Sequence, residues 1–213
     1  MKLHWSPKAP FVRKVLILAD EVGLSARLNR VRTVVAPSKP NAQLQLDNPL
    51  SKVPTLVLDD GSPLYDSRVI CEYLDSLHQG RPMIPRDAAR RWVALRRQAL
   101  ADGILDVLIM WRDEDLRAED KRNQPLLSAF RNKVEASLAQ LEVEAALFGS
   151  DFDIGQIAVG CMLSYLDLRF AELAWRDQRP ALTSWYETSF AQRPSVVATR
   201  PVDDLPPPAV RRD

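Results

Sequence analysis

The chain opens a helix at Trp5-Ser6-Pro7-Lys8-Ala9-Pro10-Phe11-Val12-Arg13-Lys14-Val15, and this stretch decides the reading of the first half. Lys2–Trp5 reads as a short strand. Pro10 stands at a helix's first turn, where a missing N–H costs nothing. Phe11, Val15, Leu18 and Val22 follow at spacings of 4, 3 and 4, which predicts an amphipathic helix. Gly23 is a natural terminator for it. Leu28–Val34 alternates roughly and reads as a second strand. Pro37, Pro40 and Pro49 then predict a long irregular loop over residues 35–51. Thr55-Leu56-Val57-Leu58 and Leu64-Tyr65 flank Asp59-Asp60-Gly61, a hairpin signal. Ser67 precedes a helix with Ile70, Tyr73, Leu74 and Leu77 on one face. The order is βαβ followed by ββα.

Gly80-Arg81-Pro82-Met83-Ile84-Pro85 separates this half from a helical one. The spacing predicts long helices over Asp87–Arg117 and Pro125–Phe148, a third over Asp153–Ala171 and a last over Leu182–Ala191. Asp153 and Gln156 form a capping box with Asp in the leading place. Gly155 and Gly160 each cost about 1 kcal/mol against Ala inside a helix, which close helix approach would compensate. The chain thus divides into an α/β domain over residues 1–79, a linker over 80–86, an all-α bundle over 87–200, and a Pro-rich tail over 201–213, expected to be extended or mobile.

The 213 residues suffice for a sizeable core, and 46% hydrophobic with 27% charged residues is a globular composition. The apolar run Val15–Ala19 falls far short of the ~18 residues that a membrane span needs. Arg13 and Lys14 interrupt any signal-peptide pattern. Lys plus Arg (29) balances Asp plus Glu (28), so nucleic acid and anionic membranes are not expected partners. The arginines at 86, 90, 91, 96 and 97 lack an aromatic platform and read as a solvated helix face. Cys71 and Cys161 sit in apolar helical patterns and read as buried free thiols of a reduced, cytoplasmic protein. With only two scattered His, no metal site is expected. Neither a dinucleotide nor a P-loop fingerprint is present.

Three segments of the first half belong together: the Trp5–Val15 stretch, Asn48-Pro49-Leu50-Ser51-Lys52-Val53-Pro54-Thr55-Leu56, and Tyr65-Asp66-Ser67-Arg68-Val69-Ile70. They resemble the thioredoxin-like N-terminal domain of the glutathione transferase family. The resemblance continues through Gln98–Gly103, Ile157–Cys161 with Tyr165-Leu166-Asp167, Trp185-Tyr186-Glu187 and Arg193-Pro194-Ser195. It implies a thioredoxin-like domain followed by an all-helical domain. Two helix N-termini facing one crevice suit an anion, since each carries about half a positive charge. Glutathione has carboxylates at both ends and a thiol between them. By the resemblance, Val53 offers its backbone to the cysteinyl portion beside a cis Pro54. Ser67 holds the γ-glutamyl carboxylate and Asp66 its amine. Lys52, helped by Lys39, pairs with the glycyl carboxylate. Taken singly, Ser67 reads as a helix cap, Pro54 as an edge proline and Lys52 as a surface charge. Arg13 reads as the partner of a buried carboxylate.

The family pattern expects Ser or Cys just before the proline at the helix start, and here that residue is Ala9. A hydroxyl bonded to a thiolate is worth about 1.5–3 kcal/mol, so its loss would leave roughly ten- to a hundredfold less thiolate at a given pH. Ser6 is the first candidate to replace it as a catalytic group. Trp5 carries an indole donor, although core packing is its simpler role. The Phe11 amide at the helix N-terminus and the charge of Lys8 favour a thiolate regardless of side chain. The electrophile is expected between the domains, against Asp102, Leu105, Asp106, Ile109 and Trp111.

The favoured reading is a homodimeric glutathione transferase with a detoxification role, taking glutathione as co-substrate and a small apolar electrophile. Ala9 keeps open a non-catalytic glutathione- or partner-binding protein on the same scaffold. A cysteine-dependent reductase is disfavoured because both cysteines fall in helices.

Overall fold

A computed structural model describes residues 1–36, 38–149 and 151–203. Strands β1 (Lys2–Trp5), β2 (Asn29–Arg32), β3 (Thr55–Val57) and β4 (Pro63–Leu64) form one sheet in the order β2-β1-β3-β4. β1 pairs parallel with β2 and antiparallel with β3, which pairs antiparallel with β4. Helix α1 (Pro10–Glu21) makes the crossover between β1 and β2, and α3 (Ser67–Ser76) follows the hairpin. This is the expected βαβ–ββα order. The anticipated loop also contains a short helix, α2 (Ala42–Gln45), because Asn41 caps it by accepting from the Leu44 amide at 3.0 Å.

Helix α1 departs from the amphipathic expectation. Every residue from Val12 to Ala19 is buried, including Arg13 and Lys14. The reason is position: α1 packs against α3 and also against two helices of the second half, α6 (Ile154–Arg169) and α8 (Pro194–Ala198). A helix covered on several sides carries no solvated stripe.

The helical domain comprises α4 (Ala88–Asp115), α5 (Gln124–Ala145), α6, α7 (Pro180–Trp185) and α8. Helix α6 runs through its middle, with each residue from Ile154 to Leu166 buried. Asp153 caps it by accepting from the Gln156 amide at 3.0 Å, whereas the Gln156 side chain turns to the Asp151 carbonyl at 2.8 Å instead of closing the box. The last predicted helix is broken in two. After α7 the chain widens through a π-helical turn, Tyr186–Phe190, and α8 follows separately. Five residues show no helical period, so α8 leaves only Pro194 as a signal.

The linker is pinned rather than free. Asp75 of α3 accepts from the Met83 and Ile84 amides at 2.7 and 3.0 Å, and Met83 accepts from Ile154 of α6 at 2.9 Å. Of the arginines around the start of α4, 86, 90 and 96 are exposed as a solvated face would be, 91 is half-buried, and 97 departs from it. Arg97 is buried with its Nε 2.8 Å from Glu144, Arg96 reaches the same carboxylate at 2.7 Å, and Arg91 pairs with Glu72 at 2.9 Å. Arg96 and Arg97 serve the packing of α4 on α5 and Arg91 ties α4 to α3, which the count of charges alone did not reveal.

Candidate active site

Three chain segments meet at one end of the sheet. The first is the turn from β1 into α1. Its Ala9 amide donates to the Ser6 carbonyl at 3.2 Å, and Ala9 caps α1 without any side-chain bond. The Phe11 and Val12 amides of the first turn have no partner inside the helix by its geometry. Ser6 is buried and Trp5 half-buried against the core.

The second segment is the approach to β3. The Val53–Pro54 bond is cis, as the resemblance implied. Asn48 braces this turn, donating to Thr55 Oγ1 at 2.9 Å while Thr55 donates to the Lys52 carbonyl at 2.8 Å. Lys52 and Lys39 are both exposed.

The third is the turn from β4 into α3. Asp66 caps α3, its Oδ1 accepting from the Arg68 amide at 2.8 Å, and its side chain is 60% exposed. Ser67, the first helical residue, is buried. The Tyr65–Asp66 bond is also cis.

The expected electrophile residues on α4 divide. Asp102, Leu105 and Trp111 are buried, Ile109 is half-buried and Asp106 exposed. Asp102 is committed elsewhere: Lys14 of α1 donates to its two oxygens at 2.8 and 2.7 Å, and Arg68 Nε lies 3.5 Å from it. Burial raises its pKa, against the pull of Lys14 and Arg68. Trp111 tilts against Phe170 at 5.2 Å. The cavity beside Ala9 is instead lined by Lys8, Arg13, Cys161, Tyr165 and Pro201, drawn from the β1–α1 turn, α1, α6 and the segment after α8. Among the described residues Arg13 meets no carboxylate; its Nη2 donates to the Val196 carbonyl at 3.2 Å.

Lys14 was missed by the sequence reading. It stands three residues after Phe11 and four before Leu18, within the apolar spacing, and a lysine there calls for a buried carboxylate.

Both cysteines are free and buried. Burial pushes the Cys71 thiol up to about 12 and that of Cys161 to about 11, so neither supplies a thiolate at neutral pH. Among the described residues no three His, Cys, Asp or Glu side chains stand together as a metal site, and no helix is long and apolar enough to cross a membrane.

Two family models match the chain: the N-terminal domain of glutathione S-transferase over residues 9–77 and its C-terminal domain over residues 111–188. An uncharacterized GST-like protein of Escherichia coli K12, YibF, is 33% identical over 94% of this chain and 98% of its own. A crystal structure of a glutathione transferase family member from Pseudomonas fluorescens Pf-5, with bound glutathione, is 46% identical over 94% of this chain and 98% of its own, at a TM-score of 0.91. A structure from the same organism with bound S-(propanoic acid)-glutathione is 44% identical over 95% of this chain and 100% of its own, at a TM-score of 0.87. With matches in both halves and along nearly the whole length, this chain belongs to the glutathione transferase family.

Proposed function

We propose that this protein is a glutathione transferase that joins the glutathione thiolate to a small electrophilic carbon. The observation that carries the reading is the 46% identical structure with glutathione bound, whose fold this chain shares at a TM-score of 0.91. The local geometry supports it. The α1 and α3 N-termini and the cis Val53–Pro54 turn stand at one end of the sheet, and each helix start favours an anion. Val53 would pair its backbone with the cysteinyl portion. Ser67 would hold the γ-glutamyl carboxylate, and Asp66, whose Oδ2 lies only within 3.6 Å of Arg68, would take the amine. Lys52 and Lys39 would meet the glycyl end. The electrophile would enter beside Ala9.

Thiol activation falls to the first-turn amides of α1, the nearby charge of Lys8 and, among hydroxyls, Ser6. A buried cysteine nucleophile is unsuited, as both thiols stay protonated. Ala9 favours a second reading, a protein that binds glutathione without chemistry. Calorimetric titration with reduced glutathione, in buffers of different ionisation enthalpy, separates the two. Proton release near neutral pH supports the transferase. Binding without proton release supports the binding protein, and no binding refutes both.

We also expect a cytoplasmic homodimer. The exposed Trp92, Val69 and Val93 on α3 and α4 support a covered face there. Sedimentation at the monomer mass of 24.1 kDa would refute the dimer.

A further inference from the structure

The segment Pro201–Asp203 runs alongside the cavity beside Ala9. The Val202 amide donates to the Pro7 carbonyl at 3.2 Å, and Pro201 forms part of the cavity wall. The Asp203 carboxylate fastens this segment. Arg169 Nη1 donates to Oδ2 and Nη2 to Oδ1, both at 2.7 Å, and Lys8 Nζ lies 3.3 Å from Oδ1. A guanidinium fork on a carboxylate is a strong, shape-specific pairing. It holds the Asp203 carboxyl down to about 2.

With the strap in place the cavity measures about 10 Å³. That is about enough for one water and too small for any electrophile. Pro201 is part of the wall, so withdrawal of the strap would widen this approach to the α1 N-terminus. Its departure would free the Arg169 guanidinium. Arg13 lines the same cavity at 5% exposure, and its Nε and Nη1 have no hydrogen-bond partner among the described residues. Arg112 and Arg169 both bear on Tyr165, which completes the wall. The entrance to the reaction site is thus cationic, and one of the chain's own carboxylates occupies it.

We propose that the electrophile carries a carboxylate, which replaces Asp203 on Arg169 and so releases the Pro201–Asp203 strap. This rests on the transferase reading and narrows its substrate class. With a haloalkanoate, the sulfur–carbon bond forms as the carbon–halogen bond breaks. The halide leaves with the bonding pair, and the thiol proton passes to solvent. The carboxylate takes no part in bond making; it orients the carbon toward the sulfur.

The test is calorimetry on the full chain with glutathione, S-carboxyethyl glutathione and the primary amide of that conjugate. The acid conjugate is expected to bind at least about tenfold tighter than the amide. Arg169→Leu should abolish that ratio, and Arg169→Lys should keep part of it, which guards against a folding defect. Asp203→Asn should tighten the acid conjugate several-fold. Turnover of β-bromopropanoate over β-bromopropanamide should follow the same order. Equal binding of acid and amide, or a ratio that survives Arg169→Leu, overturns the proposal while glutathione binding leaves the transferase reading intact. Wild-type protein that binds neither glutathione nor either conjugate overturns both.

Discussion

Two glycine-to-alanine substitutions in the helical domain should move stability in opposite directions. In a helix interior, Ala is favoured over Gly by about 1 kcal/mol. Gly103 lies on α4, and a Cβ built there meets nothing within 4 Å. Gly103→Ala should collect that whole preference. For a chain of this size about 1 kcal/mol corresponds to a melting temperature roughly 2–4 °C higher. Gly155 lies on α6 where it crosses α4. A Cβ there would stand 2.6 Å from the Ala94 carbonyl oxygen, 2.9 Å from Arg97 Cβ and 3.1 Å from Ala94 Cα. Two of these are backbone atoms, so relief requires α4 and α6 to separate. Overpacking costs about 1–3 kcal/mol, and a backbone obstacle puts this case at the upper end. Less the helical preference, roughly 2 kcal/mol of destabilisation remains, a fall of about 4–8 °C. Both variants would be melted by circular dichroism at one protein concentration without ligand. A Gly155→Ala melting temperature equal to or above wild type would refute the reasoning, because the close approach would then not be what selects glycine.

Ala9→Ser should increase the thiolate fraction of bound glutathione near neutral pH by about tenfold or more, read from thiolate ultraviolet absorbance; an unchanged fraction would mean that the sulfur lies beyond reach of residue 9. Burial works against ionisation of Glu144, but hydrogen bonds from Arg96, Arg97 and Gln140 bring it down to about 2 from 4.5. Its contribution to stability is therefore present above about pH 4.5 and lost as pH falls toward 2, amounting to at most about 3 kcal/mol, less the screening at exposed Arg96. Glu144→Gln should flatten the urea-midpoint profile in that window, and an unaltered slope would exclude this carboxylate as its source. Lys14→Met or Asp102→Leu alone should cost about 3–5 kcal/mol by leaving a buried charge unpaired, while the double variant should recover most of that loss in urea unfolding. Additive single losses would show that the pair is not coupled.

Much of this architecture was readable because its signals are local. Pro10 at a first turn, Asp59-Asp60-Gly61 between two β runs, and Asp153 before an apolar helix each fix an element by their own backbone chemistry. Gly155 and Gly160 were informative for a related reason. A glycine that lowers helix propensity implies a neighbour, and Ala94 and Phe190 are those neighbours. The three segments at the end of the sheet pointed to the family as a set, though each residue alone had an ordinary explanation. What escaped depends on long-range partners. Arg13 was expected on a carboxylate and found the Val196 carbonyl, since α8 is too short to announce itself. The α4 residues were expected to face the electrophile, yet the cavity beside Ala9 is walled by α6 and Pro201. Sequence distance hid that wall, because the C-terminal segment returns to Pro7 from 195 residues away.

The Lys14–Asp102 pair explains why the two halves act as one unit. Lys14 belongs to α1, whose N-terminus carries Ala9; Arg68 belongs to α3, whose first residue is Ser67; Asp102 belongs to α4 of the helical domain. One buried carboxylate therefore meets cations from both helices whose N-termini stand at this end of the sheet. A buried charge tolerates displacement poorly, since each lost contact leaves it without compensation. The angle between α1 and α3, and with it the spacing of their two N-termini, is thus referred to a residue of the other domain. Ser67 and the first turn of α1 can then be held in register without side-chain bonds between them. In the same way Asp203, reaching Lys8 in the turn before α1 and Arg169 of α6, joins the two domains a second time. The interior bridge is sealed from solvent and fixed, whereas the exposed one can be exchanged for another carboxylate. That contrast distinguishes the pair that builds the site from the pair that guards it.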